Sequence, residues 1–167
     1  MKWIRLTPEG VSSKQLWPVL LLSVCESYSG SSVVTYAGFM VVDLIPGLDS
    51  KKAGYFSGLL MSAFFLCQFI SSPVVGRLSD TVGRKKLLVF GTFGNILSTL
   101  TMGFSVNFPM AVVARCINGL LNGNVVVIKA FAQEISASSR DSRTAVFSRI
   151  LLFGGIGSVL GGATGGL

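Results

Sequence analysis

Two ionisable side chains, Glu26 and Arg115, stand inside stretches otherwise apolar enough to cross a lipid bilayer. A charge near mid-membrane costs at least ~2.5 kcal/mol on insertion scales, so each must face protein or a water-filled cavity. Glu26 is flanked by Ser23, Ser27, Gly30, Ser31 and Val34, which recur at three- and four-residue steps and therefore share one helix face. Among those hydroxyls a carboxylate with a raised pKa could carry a proton, because desolvation disfavours its charged form. It could equally pair with a neighbouring helix and serve packing alone. Arg115 opens a run that continues through Asn118, Gly119, Asn122, Gly123 and Asn124. Its guanidinium keeps its charge at any physiological pH, and beside a titratable carboxylate the pair would respond to one proton. The alternative is that Arg115 snorkels or holds backbone carbonyls.

Composition bounds the remaining chemistry. Of 167 residues, 50% are hydrophobic and only 13% charged, against roughly 25% charged in soluble domains. This is the composition of a membrane protein. The net charge of +7 comes from basic residues placed in loops between apolar segments, so membrane topology explains it better than a nucleic-acid-binding face, and no nucleic-acid partner is expected. Cys25, Cys67 and Cys116 all lie within apolar stretches, and the chain has no histidine. No disulfide framework, metal site or cofactor is expected from these. Paired catalytic carboxylates, a nucleophile with its histidine and a phosphate-binding loop are likewise missing from the sequence, so an enzyme is not expected.

A spanning helix needs about 20 apolar residues, and five segments qualify: residues 16–40, 54–75, 87–104, 109–131 and 145–167. They predict an all-α transmembrane bundle preceded by a short arm at residues 1–15. Short connections make successive helices antiparallel neighbours. The basic residues Lys2, Arg5 and Lys14, then Arg77, Arg84, Lys85 and Lys86, then Lys129, Arg140 and Arg143 fall on one side, whereas the other side has Lys51 and Lys52. Lysine and arginine concentrate on the cytoplasmic side, which predicts a cytoplasmic N-terminus. A basic start followed by an apolar run, with Ser23 and Cys25 as a weak cleavage signal, also fits a leader peptide. Continuation of the apolar run beyond Ser32 favours a retained helix. Asp49 ahead of Ser50 predicts a helix cap, and Pro46-Gly47 a turn.

Between the second and third spans the chain reads Gly76-Arg-Leu-Ser-Asp-Thr-Val-Gly-Arg-Lys85. The positive-inside rule accounts for the charges but not for Gly76, Asp80 and Gly83 at those spacings. This loop resembles the signature of the major facilitator superfamily, Gly-x-Leu-x-Asp-x-x-Gly-Arg-Lys, matched at Gly76, Leu78, Asp80, Gly83, Arg84 and Lys85. Arg115 and Gly119 resemble that family's Arg-x-x-x-Gly element, with Asn118 where glutamine is usual. Gly157, Gly161, Gly165 and Gly166 are similar to its antiporter signature, although Gly162 occupies the proline position and Ser148 that of an upstream glycine. Within the family, Glu26, Gly58-Leu-Leu, Ala63-Phe, Gln68-Phe and the Arg115 element resemble the twelve-span drug:proton antiporters and zinc-induced-facilitator-like proteins.

The resemblance implies a secondary transporter of a small organic solute or drug-like compound, working with protons by alternating access. Glu26, Arg115, Ser23, Ser27 and Ser31 then belong to a proton-coupling or substrate cavity. The signature residues form a gating loop, and Glu134 and Arg143 are its charge partners. Gly119, Gly123, Gly157, Gly161, Gly165 and Gly166 pack helices, as their spacing also suggests. A complete facilitator has two six-helix halves, so these five spans amount to one half stopped before its sixth helix, with the C-terminal half missing. A facilitator or symporter of the same fold, or a short non-transporting membrane protein that assembles with a related transporter, are the alternatives. Plasma and vacuolar membranes both suit such a protein.

Overall fold

A computed structural model describes residues 13–137 and 140–166; the first twelve residues of the expected N-terminal arm lie outside them. The described residues form six helices: α1 (Ser13–Leu44), α2 (Ser50–Val82), α3 (Arg84–Gly103), α4 (Phe108–Leu121), α5 (Asn124–Ile135) and α6 (Arg140–Gly165). Among the described residues there is no strand. The expected all-α class is what forms, with two departures in how the sequence is cut into elements.

The first concerns the signature segment, expected as a loop. Residues 76–82 contain nothing that stops a helix, so α2 runs on through Gly76, Leu78 and Asp80 to Val82, and only Gly83 is non-helical before α3 begins at Arg84. At about 1.5 Å per residue, 33 residues reach about 50 Å, well past a hydrocarbon core of about 30 Å. The second departure is in the expected span 109–131, which breaks at Asn122-Gly123 into α4 of 14 residues and α5 of 12. Polar Asn122-Gly123-Asn124 sits at the break, but the run as a whole is apolar enough to read as one span. The Asp49 cap forms as expected, its carboxylate accepting from Lys51 N at 3.3 Å. Gly47 in the preceding turn has φ of 77°.

Among the described residues, three stretches are long and apolar enough to cross a bilayer: Lys51–Val82, Phe108–Ile135 and Arg140–Gly165. α1 and α3, at 32 and 20 residues, have the length, but hydroxyl, glycine and charged residues dilute their apolar character. The outer faces fit lipid. α2 exposes Phe65, Leu66, Phe69 and Ile70, and α6 exposes Leu151, Leu152, Ile156 and Val159, an apolar surface too broad for water.

The helices form two compact units. One comprises residues up to Val33 together with Ile128 onward, and the other Val34–Val127; α1 and α5 contribute to both. In the first, α6 lies on the N-terminal part of α1 over a core of Leu16, Leu20, Ala132 and Val146. Trp17 adds an edge-on contact with Phe153, ring centroids 6.1 Å apart. Here α6 approaches the α1 backbone itself. A Cβ built on Gly157, Gly161 or Gly165 would fall under 3.0 Å from the carbonyl oxygen of Val24, Tyr28 or Ser32 respectively. In the second unit α4 packs against α2 and α3. α3 turns Gly91, Gly94 and Ser98 inward while Val89, Phe93 and Ile96 point outward. This inverts the pattern of a soluble helix, as burial of small residues against helices and apolar ones against lipid requires.

Candidate functional site

The serine face of α1 is largely engaged by α6. Ser23 Oγ donates to Ile150 O at 3.1 Å, Ser31 Oγ to Ser158 O at 2.8 Å and Ser32 Oγ to Gly161 O at 3.0 Å. A Cβ on Gly154 would sit 3.1 Å from Ser27 Oγ and 3.2 Å from Ser23 Oγ. The periodicity that grouped these hydroxyls on one face is real, and the structure commits Ser23 and Ser31 to holding a glycine-faced helix. Helical carbonyls already hold an intrahelical bond, and their second lone pair accepts these hydroxyls. Glu26, on the same segment, is half-buried.

Arg115 lies on α4 with 5% of its surface exposed. Its Cζ sits 4.9 Å from the centroid of the Phe64 ring, and Nη2 donates to the Met61 thioether at 3.5 Å. The Nε proton has no acceptor, and among the described residues the guanidinium forms no ion pair. One turn on, Asn118 Nδ2 donates to Asn95 Oδ1 at 3.3 Å, and buried Ser98 donates to Ala114 O at 2.8 Å. The face of α4 that sequence marked through Arg115, Asn118 and Gly119 is thus turned into the unit.

The break after α4 is built by side chains of α2 and α3. Gly123 N turns back to Leu121 O and Val126 N to Gly123 O, which frees the Gly119 and Asn122 carbonyls from α-helical partners. Ser71 Oγ lies 3.1 Å from Gly119 O, and Gln68 Nε2 donates to Asn122 O at 3.0 Å. Asn124 Nδ2 donates to Thr92 Oγ1 at 3.4 Å. Buried carbonyls in an apolar layer need such partners. Gly119 and Gly123 make the close approach possible: added Cβ atoms would strike the Phe64 carbonyl and the Val75 side chain. Gln68 and Ser71 are the residues that sequence reading missed as partners of this segment. Their one sequence signal was polarity inside an apolar run.

The signature residues occupy the α2–α3 junction. Asp80 and Arg84 lie on either side of Gly83, with Asp80 Oδ1 3.9 Å from Arg84 Nη2; the Asp80 side chain is 72% exposed. Gly83 has φ of 96° and ψ of 134°, a region almost restricted to glycine. A Cβ there would meet nothing within 4 Å, so its replacement costs backbone strain alone. Gly83→Val should therefore destabilise by about 1–3 kcal/mol, whereas Asp80→Asn should cost at most about 1 kcal/mol because the Asp80 carboxylate is solvent-exposed and its contact with Arg84 is long. Thermal unfolding in detergent micelles measures both, and a Gly83→Val chain that melts with the wild type would contradict the assignment. Glu134 and Arg143 are exposed.

Between the C-terminal ends of α1 and α3 lies a cavity of about 510 Å³, lined by Tyr36, Phe39, Met40, Asp43, Thr99 and Met102 among others. Tyr36 Oη is 3.7 Å from Met102 Sδ. Tyr36 is also within electrostatic reach of Arg115. Sequence reading attached no role to these residues because they are spread over two helices and only Asp43 is charged.

Residues 19–167 match the family model described as Major Facilitator Superfamily. The chain is 33% identical over 153 residues to the major facilitator superfamily multidrug transporter mfsB of Aspergillus fumigatus, covering 92% of this chain and 25% of that protein. It is 29% identical over 152 residues to the zinc-induced facilitator-like protein 1 of Arabidopsis thaliana, covering 91% and 31%. Against the class H tetracycline resistance protein of Pasteurella multocida the identity is 32% over 155 residues, covering 93% and 38%. The chain thus spans about a quarter to two fifths of the length of these relatives.

Proposed function

We propose, because the chain belongs to the major facilitator superfamily, that it forms the N-terminal portion of a longer secondary transporter that exchanges a small organic solute for protons. The family is one of membrane transporters, and relatives of this chain are named for multidrug transport and tetracycline resistance. What carries the proton-coupled reading is the placement of Glu26 and buried Arg115 within apolar helices, since such charges mark ion and substrate paths. Alternating access then requires a second half facing this one. A symporter or facilitator of the same fold is the second reading, favoured by Gly162 at the proline position of the antiporter signature. Reconstitution of the longer protein in vesicles separates the two. Solute should move against the protons, leaving as they enter and entering as they leave, and accumulation should collapse with a protonophore; solute moving with the protons would leave the symporter. Flux indifferent to the gradient would leave the facilitator.

In this reading α1 and α3 also cross the membrane, which makes five spans of α1, α2, α3, α4 with α5, and α6. The N-terminus, the α2–α3 junction and the segment around Glu134 and Arg143 are cytoplasmic, and Lys51 and Lys52 lie opposite. The basic residues favour this orientation. Single cysteines placed at 51 and 81 in a cysteine-free background should label from opposite faces of sealed vesicles; labelling from one face would refute it. The junction acts as a gate whose Asp80 and Arg84 charges hold one conformation and release it during the cycle.

A further inference from the structure

We propose that Arg115 is the receptor for the carboxylate of an anionic organic solute, an inference that rests on the transporter reading and names its substrate class. A guanidinium 5% exposed within an apolar unit carries a heavy desolvation cost unless a counter-charge lies beside it. Arg115 has none among the described residues. Its ring contact with Phe64 and its bond to the Met61 thioether are weak substitutes, since a thioether is a poor acceptor. The Nε and Nη2 protons share one edge of the guanidinium, and that edge fits a carboxylate with two parallel bonds. In this structure Nη2 donates to Met61 Sδ, and Nε is buried without an acceptor. Met61 is unbranched and flexible, so it can swing aside. A carboxylate arriving there exchanges one weak contact for two charge-assisted bonds and cancels the charge.

A cavity in the same unit, between α1 and α3, offers an apolar lining of Phe39, Met40 and Met102, and its wall residue Tyr36 lies within electrostatic reach of the guanidinium. Asp43, the acid of that cavity, is exposed and lies seven residues beyond Tyr36, about 10 Å along the helix. Repulsion from it is screened by solvent and distance. A solute with a flat apolar body and one carboxylate matches both parts.

All of these residues belong to the unit Val34–Val127, so the present chain in lipid nanodiscs is enough for a test. Benzoate is the probe and benzamide its neutral counterpart, with binding read by equilibrium dialysis of the radiolabelled compounds. Benzoate should bind saturably and about tenfold or more tighter than benzamide, as expected for charge-assisted bonds. Arg115→Lys keeps the charge but loses the two-proton edge, and should bring benzoate close to benzamide. Should that variant fail to fold, Met61→Glu serves instead: a carboxylate tethered beside the guanidinium should leave the chain folded and abolish benzoate binding. Equal binding of the two probes, no saturable benzoate binding, or full benzoate binding by the folded Arg115→Lys or Met61→Glu chain each overturns the proposal. Proton-driven flux of an uncharged solute unaffected by Arg115→Lys would also overturn it while leaving the transporter intact. Anion-selective binding without any flux would instead defeat the transporter reading and leave the site standing.

Discussion

Glu26→Gln is expected to abolish proton-driven accumulation by the longer transporter while leaving facilitated equilibration of the solute. Glutamine keeps the size and hydrogen-bonding capacity of the side chain and removes only its titration. Of the acidic residues, Glu26 alone lies deep within α1, half-buried, whereas Asp43 lies near the end of that helix and Asp80 is exposed. If it carries the proton, the substituted protein loses the dependence of flux on the pH gradient. Its thermal stability should change by no more than about 1 kcal/mol, the scale of a net hydrogen bond. A variant that accumulates solute as the wild type does, with the same pH profile, would remove Glu26 from the coupling. A variant that simply melts would identify it as a packing group. Ser23 and Ser31 on the shared face already serve α6 in that way through Ile150 O and Ser158 O.

The largest structural effect should come from Gly161. Its missing side chain lets α6 rest on the Tyr28 carbonyl, and its own carbonyl accepts from Ser32. Because the obstructing atom is backbone, neither helix can yield without moving as a whole. Gly161→Leu should separate α6 from α1 and cost more than the ~1–3 kcal/mol typical of overpacking in cores where side chains can shift. Gly161→Ala should reach that range. Gly155→Ala is the internal control, since a Cβ there meets nothing within 4 Å and alanine favours the helix. Melting of the three variants in the same detergent tests the contact directly. Equal melting of Gly161→Leu and Gly155→Ala would show that α6 does not bear on α1.

Much of this fold is legible in apolar run length and glycine spacing, because both are local. The apolar runs fall in α1, α2, α3, α4 with α5, and α6, and the glycines at 157, 161 and 165 stand where α6 meets the α1 backbone. Where sequence reading fails, the cause is tertiary. The break at Asn122-Gly123 depends on Gln68 and Ser71, more than fifty and forty residues away, and no local pattern announces a carbonyl satisfied from another helix. The helical continuation through Gly76 and Asp80 is missed for the opposite reason. Polar and basic composition reads as loop, yet apart from Gly83 nothing in the segment forbids a helix. For the site, the charges of Glu26 and Arg115 stand out against their apolar surroundings, whereas the thioether and ring that surround Arg115 look like ordinary lipid-facing residues until the helices are packed.

The broken helix also bears on how such a chain can be made. α4 and α5, at 14 and 12 residues, are about 21 and 18 Å long, so neither alone crosses a hydrocarbon layer of about 30 Å. They must enter the membrane as one piece, carrying an interruption whose carbonyls would be stranded in lipid. The group that rescues Asn122 O is Gln68, and it precedes the break in the chain. During synthesis from the N-terminus, α2 is therefore already in the bilayer when the interruption arrives. The donor waits for its acceptor. A circular permutation that placed α4 and α5 ahead of α2 would keep every contact of the finished structure and lose this order, and insertion yield, rather than final stability, would register the difference.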